Sequence, residues 1–432
     1  MALQCAGLNM RADPDRVPST SRAARGERLD SWKEIADHLR RGLTTVQRWE
    51  RQEGLPIHRH VHSAGGSVFA YVSELDRWLD GREPTATVEP ADRSIDGAGR
   101  DVPGGAMSLE SPYYIPRDAD HECRNAVARR SVIVLIDGPP QVGKSSLLAR
   151  VLADARDRRA AVAFTDIQAL GSDDLLSLKT LYHALGRSVA AQIKSSCSIL
   201  QTWNDHDSPN TNFSRYMQRL LASGRSHVVW GLDAMDQLVG REYAADVFSL
   251  LRSWRNMRAL DPTAQWSRLT LVMACATDGH PLIADARESP FNVGVRTTLD
   301  DFSRDEVTLL NDRHGTVVKA PAGLNRVTDL LGGHPYLLQC AFDVLSRGAT
   351  LRSLEDDARS EAGPFGEHLD RLRLMLPPDP LVWTALDAVS KGGRCGDRDS
   401  FHWLKRAGIV QGGSPATARL RCALYRQLWS ES

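Results

Sequence analysis

One run of eight residues carries the clearest chemistry in the chain: Gly138-Pro-Pro-Gln-Val-Gly-Lys-Ser145. Its spacing, G-x-x-x-x-G-K-S, is that of a phosphate-cradling loop. Gly138 and Gly143 let the backbone through Pro139, Pro140, Gln141 and Val142 curl around an anion. Lys144 is placed to reach the β- and γ-phosphates and Ser145 to ligate Mg²⁺, while Ser146 continues into a helix whose N-terminus faces the phosphate. The expected ligand is ATP, with Mg²⁺ as cofactor.

A second acidic group must hold the waters of that Mg²⁺. The run His227-Val-Val-Trp-Gly-Leu-Asp233 ends on Asp233, the expected carboxylate; a solvated strand-end Asp is the plain alternative. Many ATPases place Glu next, to orient the attacking water, but here Ala234 follows. Asp236 substitutes only if the turn brings it round. General-base help is worth about 10²–10⁴-fold, so the sequence predicts slow hydrolysis. The apolar run 269–276 leads to Thr277, where a polar residue would touch the γ-phosphate or simply end a strand. Lys144, Asp233 and Thr277 form the expected catalytic set.

These residues need strands and helices to hold them. Ser131-Val-Ile-Val-Leu-Ile136 is a β-branched run before the loop, and 146–152 is helix-like after it. Ala161-Val-Ala-Phe-Thr165 and 269–276 supply further buried strands. The fold class is α/β: a P-loop core, a parallel sheet with helices on both faces.

The segments YYIPR (113–117), GPPQVGKSSLLARVL, VAFTDIQAL, GLDAMDQL, SPFNVG and LLGGHPYLLQCA resemble bacterial AAA-like domains near the STAND class of ATPase switches. The phosphate loop does not select this family; GGHPYLL with SPFNVG does. The resemblance implies that Ile115–Arg117 lies near the adenine. It also implies that His334 and Pro335, in a G-x-P motif of a helical lid, contact the nucleotide. A loop before a helix is the plainer reading of 332–335. Residues 370–432 read as a second winged helix; the resemblance implies that it packs on the core, and a second DNA site is the alternative. Arg252, Arg255, Arg258 and Arg268 are open choices for an inter-subunit finger, or surface residues.

A different pattern occupies 27–82. Ser31-Trp-Lys-Glu34 and Thr44-Thr-Val-Gln47 are capping boxes. They open two short amphipathic segments around Gly42. Ile35, Ala36, Leu39, Val46 and Trp49 fall on the inward faces. Strand-like runs 55–62 and 67–71 flank a Gly-rich turn, and a helix closes the unit. The order resembles the winged helix-turn-helix of MerR-type regulators and phage excisionases. Thr45, Arg48 and Arg51 would then face the major groove, and Lys33, Arg40, Arg41 and Arg59 the phosphates. From Arg40 to Ser63 there are five Arg against two Glu. His58, His60 and His62 alternate, for a metal, a phosphate or solvent. A protein-interaction role is the alternative for the whole module.

The 432 residues balance 54 basic against 54 acidic side chains, which excludes nucleic-acid binding by bulk charge alone. Seven cysteines without a CxxC pair read as buried thiols of a reducing cytosol, and no apolar run is long enough to cross a membrane. A cytoplasmic location is expected. The domain order expected is a disordered tail (1–26), the winged helix-turn-helix (27–82), a flexible linker (83–110), the ATPase core (111–300), a helical lid (301–350) and a C-terminal winged helix (351–432). The function expected is an ATP-switched regulator that binds double-stranded DNA and self-associates with nucleotide. The rivals are an ATPase adaptor in recombination or transposition, and a signalling or defence scaffold.

Overall fold

The computed structural model describes residues 28–29, 31–39, 46, 50, 55–60, 67–80, 105–224, 226–261, 263–276 and 294–429. The chain divides into two compact units, Met1–Ala98 and Gly99–Ser432.

In the first unit, β1 (Arg28–Leu29), α1 (Trp32–His38), β2 (His58–His60), β3 (Ser67–Tyr71) and α2 (Val72–Asp80) follow in order. The strands form an antiparallel sheet in the order β1-β3-β2, with His58 opposite Phe69. The Ser31 hydroxyl accepts the Glu34 N–H at 3.2 Å, the cap expected from the sequence. Ile35, Ala36, Leu39, Val46, Leu55, Ala70 and Leu75 form the core. His58 Nε2 meets Glu74 Oε2 at 2.6 Å and its ring stacks on Phe69, so that histidine has partners within the unit.

The second unit contains α3 (Asp118–Ala128), β4 (Ile133–Asp137), α4 (Lys144–Asp157), β5 (Ala161–Asp166), α5 (Leu178–Gln192), α6 (Ile199–Thr202), α7 (Pro209–Ser223), β6 (Val228–Asp233), α8 (Ala244–Leu260), β7 (Leu269–Cys275) and β8 (Val295–Thr298). The lid and tail follow as α9 (Arg304–Arg313), α10 (Pro321–Leu331), α11 (Pro335–Ser346), α12 (Leu351–Asp356), α13 (Gly366–Met375), α14 (Pro380–Ser390), α15 (Arg398–Arg406), β9 (Val410–Gln411), β10 (Arg419–Leu420) and α16 (Ala423–Trp429).

The large sheet is parallel throughout, in the order β5-β6-β7-β4-β8. Every residue of β4 and β7 is buried, including Asp137 and Thr270, as strands covered on both faces must be. One face packs α3 and α4 through Val134, Ile136, Val229 and Val272. The other packs α5, α7 and α8 through Ile133, Leu135, Trp230 and Leu271. The α/β class with helices on both faces is therefore observed. At the edge strand β5, the Gln192 amide accepts from Phe164 N and donates to Phe164 O, closing backbone groups that an edge leaves open.

A third core runs without a break from Val307 through Phe342 and Phe365 to Tyr425 and Trp429. Lid and tail thus share one interior across position 350.

Candidate nucleotide site

Parallel β4 delivers the chain to the phosphate loop, and α4 carries it away. Gly138 has φ 150° and Gly143 φ 103°. A Cβ on Gly138 would lie 2.4 Å from Leu299 O, so only glycine fits there. The loop borders a cavity of about 550 Å³. Pro140 to Ser146, Asp233 and Ala234 form its phosphate end. Gly105–Met107, Tyr113–Ile115 and Arg117 form another wall, Pro335, Tyr336 and Gln339 come from the lid, and Glu367 and Arg371 from the tail. The phosphate-loop residues, Asp233, Ile115, Arg117 and Pro335 are therefore brought together as the sequence suggests. Gly138 and Pro139 sit at the foot of the loop, where their carbonyls receive Lys144 Nζ at 2.9 and 2.7 Å.

Burial lowers the Lys144 ammonium to about 8, opposed first by Asp236 and less by Asp233. Its charge is therefore poised for an anion. Asp233 turns Oδ1 to the Ala234 N–H at 2.8 Å, and Ala234 takes the left-handed conformation at φ 55°. The turn does not bring Asp236 to the cavity wall: its Oδ1 accepts Ala276 N–H at 2.9 Å, at the end of β7. Thr277 lies outside the described residues, as does SPFNVG apart from Gly294.

Other expected residues have different partners. Ser146 is buried, and its Oγ accepts the Met107 N–H at 2.9 Å. Arg150 donates to Met107 O and Ser108 O and lies 3.5 Å over the Tyr114 ring. Met107 and Ser108, expected at the end of a flexible linker, are thus held to α4, and 105–107 line the cavity. Arg117 clasps the loop itself, donating to Val142 O at 2.9 Å and Asp300 O at 3.2 Å. Its burial lowers its pKa.

His334 is not among the residues that line the cavity; only its neighbour Pro335 is. The His334 ring is buried, 5.1 Å edge-on from His368, and neither ring nitrogen has a hydrogen-bond partner among the described residues. Burial holds its pKa well below the usual range. The β-branched runs were visible in the sequence; the buried contact was not.

Sequence reasoning missed a group that joins the tail to the loop. His368 Nδ1 meets Gln141 Oε1, and His368 Nε2 meets the Tyr425 hydroxyl at 2.7 Å. Arg421 pairs with both oxygens of Asp301, and its Nη1 lies 3.5 Å from Pro140 O. These contacts span 57 to 281 positions, so no local spacing announces them.

Of the residues expected at DNA, Lys33 lies in α1 and Arg59 in β2, opposite Val68. Arg40, Arg41, Thr45, Arg48 and Arg51 lie outside the described residues. Among the described residues no helix is long and apolar enough to cross a membrane.

The fold is similar to that of a known protein, and weaker matches accompany it. The Walker-type ATPase PABY2304 of Pyrococcus abyssi matches with 16% identity over 73% of this chain and 96% of its own, at TM-score 0.51. Aeropyrum pernix Orc1, in complex with DNA, matches at 15% over 75% of this chain and 95% of its own, TM-score 0.38. AMPPCP-bound DnaA of Aquifex aeolicus matches at 11% over 61% and 69%, TM-score 0.36. The first likeness is one of fold. No curated protein matches. The family model described as AAA-like domain matches residues 102–431, well over half of the chain. With its phosphate loop at the end of an interior parallel strand, the chain belongs to the AAA-like domain family and carries a P-loop ATPase domain.

Proposed function

We propose that this chain is a cytoplasmic, ATP-switched, DNA-binding regulator. The observation that carries the reading is the direct contact of the tail with the phosphate loop: His368 on Gln141, and Arg421 beside Pro140. ATP that reshapes the loop must act on the packing of lid and tail. A ligand shifts such an equilibrium only by its differential affinity for the two packings.

ATP would occupy the cavity with its phosphates at 138–146 and its base between Gly105–Met107 and Ile115. Ser145 and Asp233 suit Mg²⁺. Both line the cavity, and among the described residues Asp233 commits only Oδ1. Mg²⁺ keeps several waters and takes one or two protein oxygens. Bound there, it would neutralise charge on the β- and γ-phosphate oxygens. Ala234 favours a slow switch over a motor.

The first unit supplies the DNA reading, as a MerR-like winged helix-turn-helix. Its β2–β3 pairing would be the wing, Thr45, Arg48 and Arg51 the base contacts, and Lys33, Arg40, Arg41 and Arg59 the phosphate contacts. The STAND-like resemblance adds nucleotide-driven self-association, which would raise DNA avidity across the linker.

The test is selection of random duplex DNA by the full chain at fixed salt, with ATP, with ADP and without nucleotide. The expected result is one enriched motif whose recovery depends on nucleotide. No enrichment in any state would overturn the DNA reading and favour the signalling scaffold.

A further inference from the structure

We propose that Asp166 is the carboxylate that orients and deprotonates the water attacking the γ-phosphate. The inference rests on the reading of the cavity as an ATP site. Position 234, directly after the strand-end Asp233, holds Ala and can accept no proton. The sheet supplies another carboxylate. Strands β5 and β6 pair in parallel, and the last pair in register is Asp166 opposite Asp233.

Adjacent strands lie about 4.8 Å apart, and residues in register point to the same face. Phe164, two residues before Asp166, shares that face and also borders the cavity. Its register partner Gly231 lies under Leu152 of α4, the helix that begins at Lys144. Asp166 and Asp233 therefore open on the phosphate side of the sheet, and both line the cavity.

The competing carboxylates are placed differently. Asp236 does not line the cavity and turns Oδ1 to the Ala276 N–H, and Asp137, also off the cavity wall, is buried against Arg296 and Thr298. Glu367 belongs to the tail helix α13 and lies 3.8 Å from Arg371. Asp166 itself commits Oδ1 to the Gln168 N–H at 2.9 Å. That bond fixes the carboxylate plane and leaves Oδ2 for a water.

In the reaction, the water oxygen bonds to the γ-phosphorus while one of its protons passes to Asp166. The bond from phosphorus to the β,γ-bridging oxygen breaks, and its electron pair leaves with ADP. Asp166 then returns the proton to the departing phosphate or to solvent.

The bland role for Asp166 is to cap the short turn 167–169. Asp166→Asn separates the two roles, because Asn caps as well as Asp but is a far weaker base. The measurements are affinity for a fluorescent ATP analogue and steady-state phosphate release with Mg²⁺, on the full chain. Binding within about threefold of the parent with turnover reduced about 10²–10⁴-fold is expected. Unchanged turnover overturns the inference, as does equal loss of binding and turnover, which marks a structural residue. A parent chain that binds ATP but releases no phosphate above the protein-free rate also overturns it, and leaves the nucleotide-switch reading standing. A parent chain that binds no ATP overturns both.

Discussion

Gln141 of the phosphate loop and His368 of α13, 227 positions apart, share a hydrogen bond through the ring Nδ1. The ring's other nitrogen meets Tyr425. Burial lowers His368 to about 3, so the ring is neutral at physiological pH. With Oε1 of Gln141 accepting, Nδ1 carries the proton and Nε2 accepts from the tyrosine. Gln141 itself sits at φ 60°, a conformation few non-glycine residues adopt. The loop is thus held in shape partly by the tail.

Replacing His368 with Ala leaves the buried Tyr425 hydroxyl without this partner. A buried polar group left unpaired costs about 1–3 kcal/mol. We expect His368→Ala to lower stability by about that amount, and to shrink the extra stabilisation that ATP confers. Chemical denaturation with and without ATP checks both. An unchanged nucleotide effect would show that the contact is packing alone.

His334 and His368 also predict acid sensitivity. Both are buried neutral, with folded pKa values below the unfolded value of about 6.5. The unfolded chain therefore binds more protons as pH falls below about 6.5, down to about 3 for His368, so stability is full above about 6.5 and falls as pH drops. Each histidine contributes at most a tenfold loss in the folding constant per pH unit. Denaturation midpoints from pH 7.5 to 5 should fall, and less steeply in His368→Phe.

Lys144 acts in the opposite pH range. Its ammonium titrates near 8 in the phosphate-free loop, and phosphate anions should raise that value. ATP binding should therefore take up a proton above pH 8, and affinity should fall by up to tenfold per unit there. Titration calorimetry in two buffers of different ionisation enthalpy measures the uptake. Lys144→Ala should lose both ATP binding and its pH dependence.

Arg421 is buried and forked onto Asp301, whose carboxylate is itself largely covered. Removing one partner of such a pair costs about 3–5 kcal/mol. Arg421→Ala should destabilise the second unit by about that much. Arg421→Lys should rescue only part, since an ammonium cannot reproduce the two-pronged contact. Urea unfolding of the three chains decides this.

Arg150 fastens the segment at 105–108 through two carbonyls and the Tyr114 ring. Arg150→Ala should free this cavity wall, weaken ATP binding at least about fivefold on the usual worth of one or two charge-assisted bonds, and quicken proteolysis between 105 and 110. Protection of that segment by ATP in the parent chain is the accompanying measurement.

On the proposed DNA reading, Arg48→Ala should cost about 1–3 kcal/mol at one base position and relax selectivity there, whereas a phosphate contact would weaken all sequences alike. Repeating the DNA selection with this variant separates the two.

The sequence by itself determined the chemistry that depends on near neighbours. A phosphate cradle needs glycines and a lysine at fixed offsets in one loop, so 138–145 was legible without any structure. The apolar runs of β4 and β7 were legible because a strand covered on both faces is apolar along most of its length. The Ser31 cap and the inward set Ile35, Ala36 and Leu39 were legible for the same local reason. Only the tertiary structure decided which carboxylates meet the cavity. Asp166 and Asp233 are 67 positions apart and come together through strand register, while Asp236, three residues from Asp233, is drawn away by the end of β7. It also decided that Ser146 and Arg150 hold Met107 and Ser108, and that His334 packs against His368 instead of lining the cavity. Those outcomes follow from burial and from the pairing of distant polar groups, whose energies depend on where the backbone brings them and on no spacing within the chain.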